Sequence, residues 1–119
     1  MSYDIYLKDP VTNQACILDN SHNFKGGTYQ VGGSSTADFN ITYNYSSKFK
    51  ELFGEDGIRS LYGLTGSQSI PILTKAILKL KDDPYQIDYW KMTEGNVKAA
   101  LNALLQLASQ CLDGIWDGD

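Results

Sequence analysis

The residues best suited to binding a ligand lie in a glycine-containing loop, residues 63–69, which leads into a helical pattern. Free N–H groups, small side chains and the dipole of a helix N-terminus together favour a bound anion. Arg59 lies four residues before this loop and could add a bidentate contact. We therefore predict that a phosphate is bound by Arg59 and by the backbone of Gly66, Ser67, Gln68 and Ser69. Ordinary helix capping is the alternative, because the loop matches neither the Walker pattern nor the dinucleotide fingerprint.

Aromatic side chains next to amides form the second candidate group. The chain contains 8 tyrosines and 2 tryptophans, several of them beside polar residues. Aromatic faces, amides and an arginine are what a pocket needs to stack on a base and hydrogen-bond it. We predict that the base or sugar of a nucleotide-like ligand contacts Tyr43, Asn44, Tyr62 or Trp90. The alternative for each residue is ordinary packing in the core or at its edge.

The sequence shows no recognisable catalytic set. His22 is the only histidine, and no Gly-x-Ser-x-Gly motif is present. Asp113, Asp117 and Asp119 do not match a calcium-binding loop, so we expect a solvated acidic tail in which Trp116 packs on the core. We predict a binding protein without catalytic residues, metal or cofactor. A small metal-dependent hydrolase is the rival interpretation.

The two cysteines, Cys16 and Cys111, lie near opposite ends of the chain, each beside apolar residues. We expect buried free thiols, because free cysteine packs as a small apolar residue and disulfides are rare in the cytosol; a disulfide is the alternative. A single histidine and two distant cysteines do not make a zinc site.

The sequence pattern predicts strands in the first half of the chain and helices in the second half. The first half alternates apolar and polar residues, which predicts strands over residues 2–8, 15–19 and 36–44. The first two form a hairpin through the turn at residues 9–13, and a brief strand between glycine pairs is predicted over residues 26–33.

The second half follows helical spacing. The first predicted helix is capped by Ser46 or Ser47 and stops at Gly54, and a single helical turn follows over residues 58–62. The next helix is capped by Ser69 and ends before Asp82. The last is capped by Thr93 and stops at Asp113-Gly114. Strands followed by helices indicate an α+β fold, in which an antiparallel sheet from the N-terminal half is packed by helices from the C-terminal half.

Composition limits the class of protein. The chain has 119 residues, of which 42% are hydrophobic, so we expect one domain spanning residues 1–119. The net charge of -4 disfavours general nucleic-acid binding. No apolar run approaches the ~20 residues that cross a bilayer, and the first residues do not resemble a secretory signal. We predict a cytoplasmic protein that does not bind membranes.

Four stretches, residues 25–29, 40–46, 57–66 and 113–119, resemble a family of small uncharacterised proteins from phages and integrated mobile elements. The resemblance spans nearly the whole chain and carries no activity or site residues with it. It implies a phage accessory protein acting in the cytoplasm of the host cell. Inhibitors of host defence are frequent in that class.

Such inhibitors act in two ways. Some sequester a nucleotide immune signal without cleaving it and usually form small symmetric oligomers, whereas others mask a host defence protein through an apolar patch or an acidic face. The aromatic, amide and glycine content favours a non-catalytic binder of a nucleotide-like or other small anionic ligand, with a homo-oligomer as an open expectation. Protein masking is the alternative.

Overall fold

A computed structural model of the chain describes residues 2–22, 34–81 and 90–119. The strand predicted over residues 26–33 lies outside them. In the described residues the chain forms, in order, β1 (Ser2–Lys8), β2 (Ile17–His22), β3 (Ser34–Thr36), β4 (Asp38–Thr42), α1 (Ser46–Phe53), α2 (Gly66–Lys79), α3 (Glu94–Gln110) and β5 (Ile115–Gly118). The predicted α+β class is confirmed.

The larger sheet has three antiparallel strands in the order β4-β1-β5. Tyr3, Ile5 and Leu7 of β1 are buried, and Ile5 lies opposite Phe39 of β4. The period-2 alternation predicted for β1 is therefore confirmed, since every second side chain faces the core.

The strand predicted over residues 36–44 is divided at Ala37. The Ala37 N–H donates to the carbonyl of Cys16 (2.8 Å), while its carbonyl accepts from the N–H of Leu7 (2.9 Å). The chain thus changes partners at this residue, from β2 before it to β1 after it, which produces the separate strands β3 and β4. A 3-10 turn, Tyr43–Tyr45, then ends the extended run.

The predicted hairpin between β1 and residues 15–19 forms only at its base. Lys8 and Ala15 make a single antiparallel bridge, and the Asp9 carboxylate accepts from the Val11 N–H at 2.8 Å, as the turn chemistry predicts. Beyond that point β2 pairs with β3 in a second, two-stranded sheet. A full hairpin is excluded because β4 and β5 already occupy the two edges of β1.

The prediction of a solvated tail at the C-terminal end was wrong. The residues expected to form a solvated acidic tail include β5, whose Trp116 lies opposite Leu7 of β1. Trp116 is only 1% exposed, so its predicted packing on the core is confirmed. One strand of the main sheet therefore comes from the C-terminal end of the chain.

The helix boundaries agree with the predictions in part. Helix α1 ends at Phe53 with Gly54 (φ 95°) as its C-cap, as predicted, but neither Ser46 nor Ser47 caps its beginning. Helix α3 is capped by Thr93 as predicted and ends at Gln110, before the expected stop. Helices α2 and α3 pack against each other, and their buried residues join those of the sheet in one core. None of the helices in the described residues combines the length and apolar content needed to cross a bilayer.

Candidate functional site

The N-terminus of α2, predicted as a phosphate site, begins one turn earlier than expected. Thr65, and not Ser69, is its N-cap: the Gln68 N–H donates to the Thr65 hydroxyl at 3.1 Å, and the Gln68 side chain accepts from the Thr65 N–H at 2.9 Å. This reciprocal pair is a capping box. The prediction missed it because Pro71 suggested a first turn that starts at Ser69.

The four N–H groups expected to hold phosphate already have acceptors. Those of Gly66 and Ser67 donate to the carbonyls of Gly114 (2.8 Å) and Leu112 (3.0 Å), and that of Ser69 donates to Thr65 (3.0 Å). The Gln68 N–H is used by the capping box. The free donors on which the phosphate prediction relied are therefore absent from residues 66–69 in this structure.

Ser69 has a different role from the predicted one. It is fully buried, its hydroxyl donates to the Gly66 carbonyl at 2.8 Å, and the same oxygen accepts from the indole N–H of Trp116 at 2.8 Å. Gly66 lies so close to the carbonyl of Cys111 that a β-carbon would collide with it. Ser69 therefore connects the start of α2 to β5 through Trp116, and Gly66 packs against the end of α3 at Cys111.

Arg59, by contrast, lies on the surface among aromatic rings. Its guanidinium carbon is 5.0 Å from the ring centre of Tyr3 and 5.8 Å from that of Tyr43. The two rings meet edge to face with centres 4.5 Å apart. Cation–π attraction holds the guanidinium over them.

Hydrogen bonds fix the orientation of the same guanidinium. Its Nε donates to the main-chain carbonyl of Asp119 at 2.7 Å, and its Nη2 donates to the Tyr43 hydroxyl at 3.3 Å. The remaining N–H groups have no acceptor within the described parts of the chain, and the side chain is exposed. Arg59 thus presents a fixed, partly unused set of donors to solvent.

Tyr62 completes this group, which we call the Arg59 cluster (Tyr3, Tyr43, Arg59, Tyr62 and Asp119). The Tyr62 hydroxyl donates to the Asp119 carbonyl at 3.2 Å. Burial, followed by the nearby Asp119 carboxylate, raises the pKa of Tyr62 to about 12, so its hydroxyl remains a neutral donor at physiological pH. Burial also raises the pKa of Tyr3.

The structure brings together only part of the predicted site. Arg59, Tyr43 and Tyr62 form one cluster, whereas Asn44 donates from its side chain to the main-chain carbonyl of Trp90 at 2.9 Å. Trp90 is 51% exposed. The prediction missed Tyr3 and Asp119, because strand alternation assigned Tyr3 to the core and nothing in the sequence indicates that β5 lies beside β1.

A cleft of about 740 Å³ opens elsewhere, beside the turn after β1 and the end of α3. It is lined by Asp9, Asp38 and Asp113, by both cysteines, and by no lysine or arginine among the described residues. Ile17 and Leu112, at its edge, are 83% and 49% exposed. The cleft is therefore acidic with apolar groups at its border.

The acidic residues near the end of the chain have identifiable partners. Asp117 lies 3.4 Å from the Lys8 ammonium, and Asp119 accepts from the Asp4 N–H at 2.8 Å. The Gly118 N–H, and then Lys8, hold the pKa of Asp117 below its ordinary value. In residues 2–22, 34–81 and 90–119, no three His, Cys, Asp or Glu side chains are grouped so that they could hold a metal ion.

Comparison of the chain with protein-family models, with curated proteins and with solved structures found no match. The phage provenance therefore stays an expectation drawn from the sequence resemblance.

Proposed function

We propose that the protein binds a small anionic, nucleotide-like ligand at the Arg59 cluster and does not transform it. One observation carries the proposal: the exposed guanidinium of Arg59 is fixed over two tyrosine rings and keeps N–H groups that no described residue uses. An arginine held in this way can bind phosphate oxygens without first losing side-chain freedom. The neighbouring faces and hydroxyls of Tyr43 and Tyr62 suit a base or a sugar.

The negative charge of Asp119 beside the Arg59 cluster should weaken the binding of an anion. The carboxylate of Asp119 lies close enough to Tyr62 to raise its pKa, so it also repels an anion bound at Arg59. We therefore expect Asp119→Asn to strengthen the binding of a phosphate-bearing ligand. A cation bound at the same surface would respond in the opposite direction.

Isothermal titration with nucleoside monophosphates and dinucleotides tests the proposal directly. Charge-assisted hydrogen bonds to phosphate contribute about 1.5 to 3 kcal/mol, so Arg59→Ala should weaken binding by about 10- to 100-fold. Lys79→Ala is the matched control, because it removes one positive charge from an exposed position near the end of α2. Unchanged affinity in a folded Arg59→Ala protein, or the absence of nucleotide binding by the wild type, would refute the proposal.

Two further measurements bear on the mode of action. Mass spectrometry after incubation with nucleotides and divalent metals should show only unchanged ligand, and product formation would contradict a non-catalytic role. Light scattering after size exclusion tests the expected homo-oligomer. Within this proposal, the phage resemblance suggests that the protein sequesters a nucleotide signal of host defence.

The acidic cleft favours a second candidate, in which the protein masks a basic surface of a host defence protein. Its carboxylates suit a basic partner, and the exposed Ile17 and Leu112 offer apolar contact area. Replacing Asp9 and Asp113 by asparagine should then abolish partner binding and leave nucleotide affinity unchanged. The Arg59→Ala variant should show the reverse pattern.

A further inference from the structure

Two half-buried cysteines from opposite ends of the chain meet in the acidic cleft. Cys16 precedes β2, and its N–H donates to the Leu7 carbonyl at 2.8 Å while its own carbonyl accepts from Ala37 at 2.8 Å. Cys111 is the C-cap of α3, and its N–H donates to the Leu107 carbonyl at 3.1 Å. Both backbones are therefore held in place by the fold.

The Cys16 sulfur lies against the turn between α3 and β5 that contains Cys111. A β-carbon placed on Gly114 would be 2.9 Å from the Cys16 Sγ and 3.3 Å from the carbonyl oxygen of Cys111, so the Cys16 sulfur packs directly on the turn that Cys111 begins. The pKa of each thiol is also shifted by the other thiol, which indicates that the two groups are close in space. Both side chains line the same open cleft, which gives a small reagent access to them.

We propose that Cys16 and Cys111 form a redox modification site, which a low-molecular-weight disulfide such as oxidised glutathione converts into an intramolecular disulfide. One cysteine thiolate attacks the glutathione disulfide, forms a mixed disulfide and releases one glutathione thiolate. The second cysteine loses its proton and attacks the protein sulfur of that mixed disulfide, which releases the second glutathione. The protein loses two electrons and two protons, and the oxidised glutathione becomes two reduced molecules.

The environment of the thiols determines how fast this reaction proceeds. Burial raises the pKa of both cysteines, that of Cys111 to about 12. Only the thiolate attacks a disulfide, so oxidation should be slow at neutral pH and should accelerate about tenfold per pH unit in the alkaline range. A disulfide here would join the start of β2 to the end of α3, and closing so long a loop restricts the unfolded chain.

The test uses the purified, reduced wild-type protein in defined mixtures of reduced and oxidised glutathione. After rapid alkylation under denaturing conditions, mass spectrometry should show a monomer that has lost two hydrogens and takes up no alkylating reagent. The oxidised form should melt at a higher temperature, and dithiothreitol should restore the original Tm. Cys16→Ser and Cys111→Ser proteins should stop at the mixed disulfide with glutathione and show no such rise in Tm.

Three outcomes would overturn the proposal. They are a wild-type protein that keeps two alkylatable thiols at oxidising glutathione ratios and alkaline pH, one that accumulates only mixed disulfides, and one that forms intermolecular disulfide dimers instead. Because each result is obtained with the folded wild type, the test does not depend on whether either serine variant folds.

Discussion

The buried hydroxyl of Ser69 offers the sharpest test of the structural role assigned to the start of α2. In Ser69→Ala, the Trp116 indole N–H loses its hydrogen-bond acceptor, and the Gly66 carbonyl loses the bond that the Ser69 hydroxyl donates. Ser69 is fully buried and Trp116 is 1% exposed, so water cannot replace the lost contacts without a rearrangement. A buried donor without a partner costs about 1 to 3 kcal/mol. With the second lost bond, we expect a loss of about 2 to 3 kcal/mol.

The expected loss is large enough to measure by urea unfolding followed by tryptophan fluorescence. For a chain of this size it corresponds to a fall in Tm of about 4 °C per kcal/mol, or roughly 8 to 12 °C in total. Ser67→Ala is the matched control, because Ser67 lies in the same first turn of α2 and its side chain is exposed. That variant should differ from wild type by less than about 0.5 kcal/mol.

A double-mutant cycle with Trp116→Phe separates the hydrogen bond from other effects of the substitution. In the phenylalanine background the indole donor is gone, so Ser69→Ala should cost at least about 1 kcal/mol less than in wild type. If Ser69→Ala and Ser67→Ala have the same stability, or if the cycle shows no coupling, the buried hydrogen bond does not fasten α2 to β5.

Three further predictions follow from individual contacts. Thr65→Ala removes the capping-box acceptor and should destabilise the protein by about 1 kcal/mol in urea unfolding, while Thr74→Ala on the exposed side of the same helix should have little effect. Gly66→Ala should reduce soluble yield or lower Tm strongly, because its β-carbon would meet the Cys111 carbonyl, and an unaltered Tm would contradict that packing. Asp117→Asn should be less stable than wild type at neutral pH. Because the folded-state pKa of Asp117 is lowered, its contribution is complete above the ordinary value of 3.8 and is lost as pH falls through the folded-state pKa. Acid titration should therefore show the two proteins converging below that value, and a constant difference would refute the assignment.

Patterns of neighbouring residues predicted most of the secondary structure, because strand alternation, helix caps and glycine stops depend on residues close in sequence. Alternation identified β1 and β4, and the threonine cap identified the start of α3. Gly54, with its positive φ, ended α1 as expected. These features depend on residues close in sequence, so the sequence alone is sufficient to predict them.

The errors arose where distant segments decide the outcome. The prediction for β5 failed because a short acidic segment forms a strand only when the edge of β1 is available to it. The hairpin prediction failed for a separate reason, because β4 occupies the edge of β1 on which the hairpin begins: the Leu7 carbonyl accepts from Cys16, while the Leu7 N–H donates to Ala37. Once β5 is in place, its neighbour Gly114 accepts the Gly66 N–H that the sequence had assigned to phosphate. The missed pairing of β5 thus accounts for the error at residues 113–119 and for the Gly66 donor that the predicted phosphate site lacks.

The pairing of β5 with β1 also gives Arg59 a structural role. Because β5 brings Asp119 beside Tyr62, Arg59 has a main-chain acceptor in addition to the rings of Tyr3 and Tyr43 that hold it in place. Its structural role and its proposed binding role use different N–H groups, so they are compatible, and fixing the guanidinium lowers the entropic cost of binding an anion. Arg59→Lys separates the two roles. Lysine keeps the charge but lacks the planar donor pair, so a phosphate held by two parallel bonds should lose affinity while a purely Coulombic contact should not.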